Sequence, residues 1–184
     1  METFKGNYFG PVIWASIEPK IIEDYEDLAN ATINIGKQDN TIVIKTIKPD
    51  ETYPLGLVCV NTMGELHLEL TINKILNSIG LGYSSVTISE PKVFYLKTEF
   101  GGTLEPIMDM EVKIPNYYSS KIERDLDKRM AHIAERVCGF NYTTIKVFVP
   151  LANIIGYVTY LRGTTKGFGK STITPSHYAR VGVE

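Results

Sequence analysis

The pattern of apolar residues runs through the same six-part order twice, and this repeat restricts the fold more than any other feature. In the first half, "GPVIWASIEP" (10–19) is a β-rich run closed by Pro19. In "KIIEDYEDLANATINIG", Ile21, Tyr25, Leu28, Ala29 and Thr32 fall at i, i+4, i+7, i+8 and i+11. That spacing is one stripe of a helix, with Gly36 as the expected stop. "TIVIKTI" (41–47) and "LGLVCVN" (55–61) read as strands around the turn cluster "KPDETYP". "YSSVTIS" (83–89) reads as a closing strand.

Between them stands "MGELHLEL" (63–70), which has two readings. As a strand, its alternation would put Glu65, His67 and Glu69 on one face, where they could hold a metal. The flanks favour a helix. Beyond Leu70 the alternation fails, whereas Leu68, Ile72, Ile75, Leu76 and Ile79 continue at helical spacing, with Leu66 and Leu70 widening the apolar surface. Thr62 and Glu65 have the spacing of a capping box, and Gly80 ends the run. The expected helix covers about 63–79. On it, His67 points about 200° away from Glu65, which removes the metal site.

The second half repeats the order. "TLEPIMDMEVKIP" (103–115) is a strand with inward alternation at Ile107, Met108/Met110 and Val112. "SSKIERDLDKRMAHIAE" is a helix with Ile122, Leu126, Met130 and Ile133 on one stripe and Ser119 or Ser120 as N-cap. "RVCGF" and "TTIKVFVP" form a hairpin, "LANIIGYVTYLRGTT" a shorter glycine-interrupted helix, and "GKSTITPSHY" a last strand. Strand–helix–strand–strand–helix–strand is the ferredoxin-like split unit, an antiparallel sheet with two helices on one face. The expectation is an α+β chain of two such modules in tandem: a tail at 1–9, a module at 10–95, a linker at 96–103 and a module at 104–184.

Composition narrows the function. Hydrophobic content of 43% suits a packed core, and no apolar run is long enough to span a bilayer. The N-terminus shows no apolar signal region. Cys59 and Cys138 lie far apart in apolar surroundings and read as small buried hydrophobes in a reducing, cytosol-like compartment. Net charge is −2, but it is unevenly spread: residues 1–90 carry twelve acids against six bases, and 141–183 contain no acid at all. One end can therefore approach a polyanion.

Catalytic motifs are missing. "GTTKGFGKS" (163–171) lacks the spacing of a P-loop and precedes a strand instead of a helix, so nucleotide hydrolysis is not expected of this chain. His67, His132 and His177 fall on separate elements. Acylphosphatase chemistry on a ferredoxin-like module would rest on fold analogy alone. The loop "LRGTTKGFGKS" gathers glycines and the cations Arg162, Lys166 and Lys170. It suits a phosphate backbone, or it is an ordinary turn after a glycine-terminated helix.

"MGELHLEL" with "EPKVFY", "LEPIMDMEVKIP", "VPLANIIGYVTYLRGTTKG" and "HYARV" together resemble the C-terminal half of translation elongation factor G and its relatives. The likeness runs from about Pro11 to Val181. It implies that the first module corresponds to the family's third domain and the second to its fifth. The GTPase domain, the β-barrel after it and the arm-like fourth domain have no counterpart here. The arm would fall between Thr98 and Leu104, where the chain has "EFGG". The chain has Lys128-Arg129-Met130-Ala131 where an Arg-Arg-Gly-like run is usual, Gly163 for Ser, Lys166 for Gln and Phe168 for Arg.

By this resemblance the chain is a non-catalytic, ribosome-binding fragment of a translocase-type elongation factor, coupling a GTPase domain to the ribosomal GTPase centre. Arg162, Gly163 and Lys166, with Lys170 in the same loop, would contact the sarcin–ricin loop of large-subunit RNA, near the stalk base. Leu66, His67 and Lys74 would face the GTPase domain, and a small-subunit protein would lie near the first module. GTP and magnesium would belong to the GTPase domain, leaving no cofactor or metal here. No membrane partner is implied, and the location is cytoplasmic, with an organelle as the alternative. The rival readings are a ribosomal protection or recycling factor of the same superfamily, and an acylphosphatase-like enzyme.

Overall fold

The structure, a computed structural model, describes residues 10–98 and 101–181. The expected tail at 1–9 and two residues of the expected linker lie outside them. The chain divides into two compact units between Phe94 and Tyr95. Each has an antiparallel sheet with two helices, which is the expected α+β ferredoxin-like architecture.

The N-terminal unit consists of β1 (Ile13–Pro19), α1 (Tyr25–Gln38), β2 (Val43–Ile47), β3 (Leu57–Thr62), α2 (Glu65–Ser78), β4 (Val86–Ile88) and the short β5 (Lys92–Val93). Its sheet order is β2-β3-β1-β4, and β5 also pairs with β1. The alternation of β1 puts Ile13, Ala15 and Ile17 into the core under Leu28 of α1 and Leu68, Ile72, Ile75 and Leu76 of α2. Burying a side chain of that size contributes about 1.5–3 kcal/mol, so this one layer is the main stabilising term of the unit.

Three local expectations for this unit are corrected. Helix α1 does not stop at Gly36 but runs to Gln38. Gly36 is there for space, since a Cβ would stand 2.7 Å from Cγ1 of Ile44 on β2. Ile21 lies outside the buried stripe of α1 and is exposed, as are Leu66 and Leu70 on α2. The capping box does not form: α2 starts after Gly64 without a side-chain cap, and Thr62 Oγ1 donates to the Gly64 carbonyl at 3.2 Å.

The C-terminal unit consists of β6 (Leu96–Lys97), β7 (Thr103–Pro115), α3 (Ser119–Lys128), β8 (His132–Cys138), β9 (Tyr142–Pro150), α4 (Tyr157–Thr164) and β10 (Lys170–Arg180). Its order, β10-β7-β9-β8, repeats that of the first unit. Strand β7 sends Met108, Met110, Val112 and Ile114 inward against Ile122, Leu126, Tyr157 and Leu161 of the helices. Ile107 lies on the opposite face, half-buried. Within the expected linker, Leu96 and Lys97 pair with Leu104 and Thr103, and Thr98 N–H donates to the Gly102 carbonyl at 2.8 Å. Those described residues are a hairpin on β7.

The expected helix over 119–135 is shorter, ten residues. It ends at Lys128, and the residues from His132 onward form β8. Met130 adopts φ 59° just past the helix end, where the Met130 and Ala131 N–H groups bond back to Asp127 and Leu126. This is a helix-stopping turn of the kind usually made with glycine, here with methionine in the left-handed position. Met130 and Ile133 are consequently exposed, not part of the stripe. Neither serine caps α3 by its side chain: Ser119 opens the helix, and its hydroxyl donates to the Asn116 carbonyl at 2.9 Å. Cys138 is exposed and Cys59 half-buried, so neither is a fully buried hydrophobe.

Arg129 ties the end of α3 to the turn before α4. Its guanidinium donates to Asp125 Oδ2 at 2.8 Å and to the Asn153 carbonyl at 2.6 Å, while Asn153 Nδ2 donates to the Arg129 carbonyl at 2.8 Å. The same guanidinium lies over the rings of Tyr157 and Tyr160 at 5.0 and 5.2 Å. The Tyr157 hydroxyl is buried and has no hydrogen-bond partner among the described residues. Burial, reinforced by Asp125, holds its pKa above the ordinary 10.0. Above that ordinary value the unfolded chain ionises while the folded chain does not, so stability falls as pH rises. Tyr157→Phe is expected to stabilise by about 1 kcal/mol, because it removes a desolvated, unpaired hydroxyl. It should also flatten the loss of stability above about pH 10. Urea unfolding at neutral and alkaline pH measures both effects.

Candidate nucleic-acid interface

Helix α4 is anchored by Tyr157 and Leu161, both buried, which leaves Arg162 and Gly163 on its exposed side. Its end is a double turn: Gly167 N–H bonds to the Arg162 carbonyl at 2.8 Å and Lys166 N–H to the Gly163 carbonyl at 3.4 Å. This pattern requires a left-handed residue at position 166, a place usually held by glycine. Lys166 occupies it with φ 54°.

Buried Thr165 holds the loop from beneath. Its Oγ1 donates to the Leu161 carbonyl at 2.7 Å and accepts from Gly169 N–H at 2.8 Å. A Cβ at Gly169 would stand 2.7 Å from that same hydroxyl oxygen, so only glycine fits. The chain then enters β10 at Lys170. The structure thus brings Arg162, Gly163, Lys166 and Lys170 into one short, internally bonded segment with its three cations exposed. A side chain other than glycine in the left-handed region costs about 1 kcal/mol. Among the described residues, Met130 is the other non-glycine residue in this region.

Register adds a cation that sequence patterning missed. Lys170 pairs with Lys113 on β7, so both ammonium groups lie on the sheet face away from the helices. Lys113 also sits 5.7 Å from the Tyr142 ring centre. The available signal was its place between the inward residues Val112 and Ile114. Finding it beside Lys170, however, needed the pairing of strands more than fifty residues apart. Lys146 on β9 is a different case, because Glu135 lies 3.0 Å away and raises its pKa by hydrogen bonding and charge.

The other predicted group lies on α2 of the N-terminal unit. Leu66 is 65% exposed and Lys74 is exposed, and with Leu70 they form an i, i+4, i+8 stripe on the outward side. His67 is half-buried, and its Nε2 is 3.4 Å from Asp39 Oδ2 beyond the end of α1. The structure therefore brings Leu66 and Lys74 together on an open face and ties His67 to its own unit. Of the other histidines, His132 is on β8, and His177 on β10 has its ring 6.0 Å from that of Phe148.

The C-terminal unit is thus a ferredoxin-like module with a cationic, glycine-shaped loop between its second helix and last strand. Comparison with known proteins bears on this loop: residues 102–184 match the family described as Elongation factor G C-terminus. Elongation factor G 1 of Geobacter sulfurreducens is 38% identical over 81 residues, covering 44% of this chain and 12% of that protein. Elongation factor G of Fervidobacterium nodosum is 40% identical over 78 residues, 42% of this chain and 11% of that protein. The matched stretch is thus about an eighth of the length of these relatives.

Lys166→Gly separates the two roles of position 166. It should stabilise the chain by about 0.5–1 kcal/mol by relieving the left-handed strain, measured by thermal unfolding. It should also remove one unit from the salt dependence of polyanion binding, read from the slope of log affinity against log salt.

Proposed function

We propose that this chain is a ribosome-binding C-terminal portion of a translocase-type translation elongation factor. In this reading the loop Arg162–Lys170 contacts the sarcin–ricin loop of large-subunit RNA near the stalk base. The outward stripe of α2, with Leu66 and Lys74, faces a GTPase domain, His67 flanks it, and a small-subunit protein lies nearby. The chain does no chemistry itself. GTP and magnesium belong to the GTPase domain, and the site of action is the cytoplasm or an organelle with its own ribosomes.

The observation that carries this proposal is the lysine held in a left-handed, helix-ending turn, inside a carboxylate-free segment that matches the elongation factor G C-terminus. Phosphate contacts suit such a loop, because they need charge and close backbone approach more than exact side-chain geometry. The exposed leucines of α2 fit a surface made to be covered by another protein. Binding by these units alone is expected to be weak, since affinity in a multidomain factor is shared among several contacts.

Co-sedimentation with ribosomes tests this. Wild-type chain should pellet with ribosomes at low salt and progressively less at moderate salt. Arg162→Glu/Lys166→Glu should lose most of the low-salt binding, by roughly tenfold or more for two reversed phosphate contacts. Binding that the double change leaves untouched would defeat the loop assignment.

A further inference from the structure

The two most exposed large apolar side chains among the described residues are Phe140, at 97%, and Tyr117, at 89%. They lie on different loops of the C-terminal unit. Phe140 is at the tip of the β8–β9 hairpin, and Tyr117 is in the 3₁₀ turn between β7 and α3. One residue holds those loops together. Asn116 N–H donates to the Asn141 carbonyl at 3.0 Å, and its Nδ2 donates to the carbonyls of Gly139 and Phe140, each at 3.0 Å. Its Oδ1 accepts from Thr143 Oγ1 at 2.8 Å. Tyr117 is further braced edge-on by Tyr118, 5.1 Å between ring centres. Both exposed rings therefore stand on a fixed base, which lowers the ordering cost of any partner that stacks on them.

Strand register puts this base at the same end of the sheet as the cationic loop. Pro115 pairs with Tyr142, and Lys113 pairs with both Thr144 and Lys170. The β7–α3 turn, the β8–β9 hairpin and the α4–β10 loop therefore all leave from one edge. With four strands about 4.8 Å apart, that edge is about 14 Å wide, a span of two to four nucleotides. Residues 112–122 and 136–183, which supply all three loops, contain no Asp or Glu. They do contain Lys113, Lys166 and Lys170, and Phe168 adds a third exposed ring at 61%.

We infer that this end of the C-terminal unit is a base-stacking platform for unpaired RNA nucleotides, in which Phe140 and Tyr117 receive bases while Lys113, Lys166 and Lys170 hold the flanking phosphates. Rings in a carboxylate-free cationic setting fit single-stranded or looped RNA. Every base offers a π-face, whereas paired bases in a duplex are already stacked. The inference rests on the reading of the α4–β10 loop as RNA-facing. It extends that reading from phosphate contact to recognition of unpaired bases.

The test uses the full chain and two fluorescein-labelled RNAs, a stem closed by an unpaired purine loop and the same stem as a continuous duplex, with binding followed by anisotropy. Wild type should prefer the stem–loop. Tyr117→Ala/Phe140→Ala should lose about tenfold or more on the stem–loop and little on the duplex, as expected for one or two lost stacking contacts. Tyr117→Phe/Phe140→Tyr, which keeps both rings, should restore the preference. Thermal unfolding should show all variants folded, since both positions are exposed. Arg162→Glu/Lys166→Glu should weaken both RNAs alike. If only that charge variant has no effect, the loop assignment and the phosphate role of Lys166 fall, while base stacking on Tyr117 and Phe140 stands. If Tyr117→Ala/Phe140→Ala binds the stem–loop as wild type does, the platform is overturned. It is also overturned if wild type does not distinguish the two RNAs, which would leave the rings to a protein partner.

Discussion

Strand β7 is the axis on which the C-terminal unit depends. It pairs with β10 along one side and β9 along the other, and its early residues also take up β6. Thirteen residues of strict alternation bury Met108, Met110, Val112 and Ile114 on one face. A slip of one residue would turn all four to solvent, so the register is firmly set. That register decides where Lys113 stands relative to Lys170. It also decides that the β7–α3 turn, the β8–β9 hairpin and the α4–β10 loop share one edge. The position of the interface follows from core packing several residues away.

The electrostatics of the edge come from omission as much as from placement. Cations on the open face farther along are paired, as Lys146 is with Glu135. On the helix side of the sheet, Arg136 of β8 is matched by Glu123 of α3 at 2.7 Å. At the loop edge itself residues 112–122 and 136–183 supply no carboxylate, and the nearest on the same face of β7 is Glu111, two residues inward of Lys113. Lys166 shows what is conceded for this: a left-handed backbone at a position where glycine would be more stable.

Much of the architecture could be read from periodicity, because it is set by burial. The stripe Leu68–Ile72–Ile75–Leu76 and the alternation of 103–115 each identify their element and its inward face. The readings that failed depended on local hydrogen bonding or fine spacing. Met130 and Ile133 continue the helical stripe of α3 on paper, but the chain has already turned at Met130. A methionine in a left-handed turn gives no sequence signal of the kind glycine gives. Thr62 and Glu65 have capping-box spacing, yet the helix begins two residues later, after Gly64. Gly36 marks close packing against Ile44, not a stop. For the site, the loop residues Arg162, Gly163, Lys166 and Lys170 are contiguous and were visible as a motif. Lys113, Tyr117 and Phe140 were not, since only strand pairing and the Asn116 bonds bring them to the same edge.

In the proposed function, the edge carrying the α4–β10 loop meets ribosomal RNA. Photocrosslinking from position 168 addresses this directly, with benzoylphenylalanine in place of Phe168, a ring already exposed beside Lys166 and Lys170. The account predicts that irradiation of the chain with ribosomes yields crosslinks to large-subunit RNA. Crosslinks confined to ribosomal proteins, or a yield no higher than that from an exposed position on α1, would contradict it.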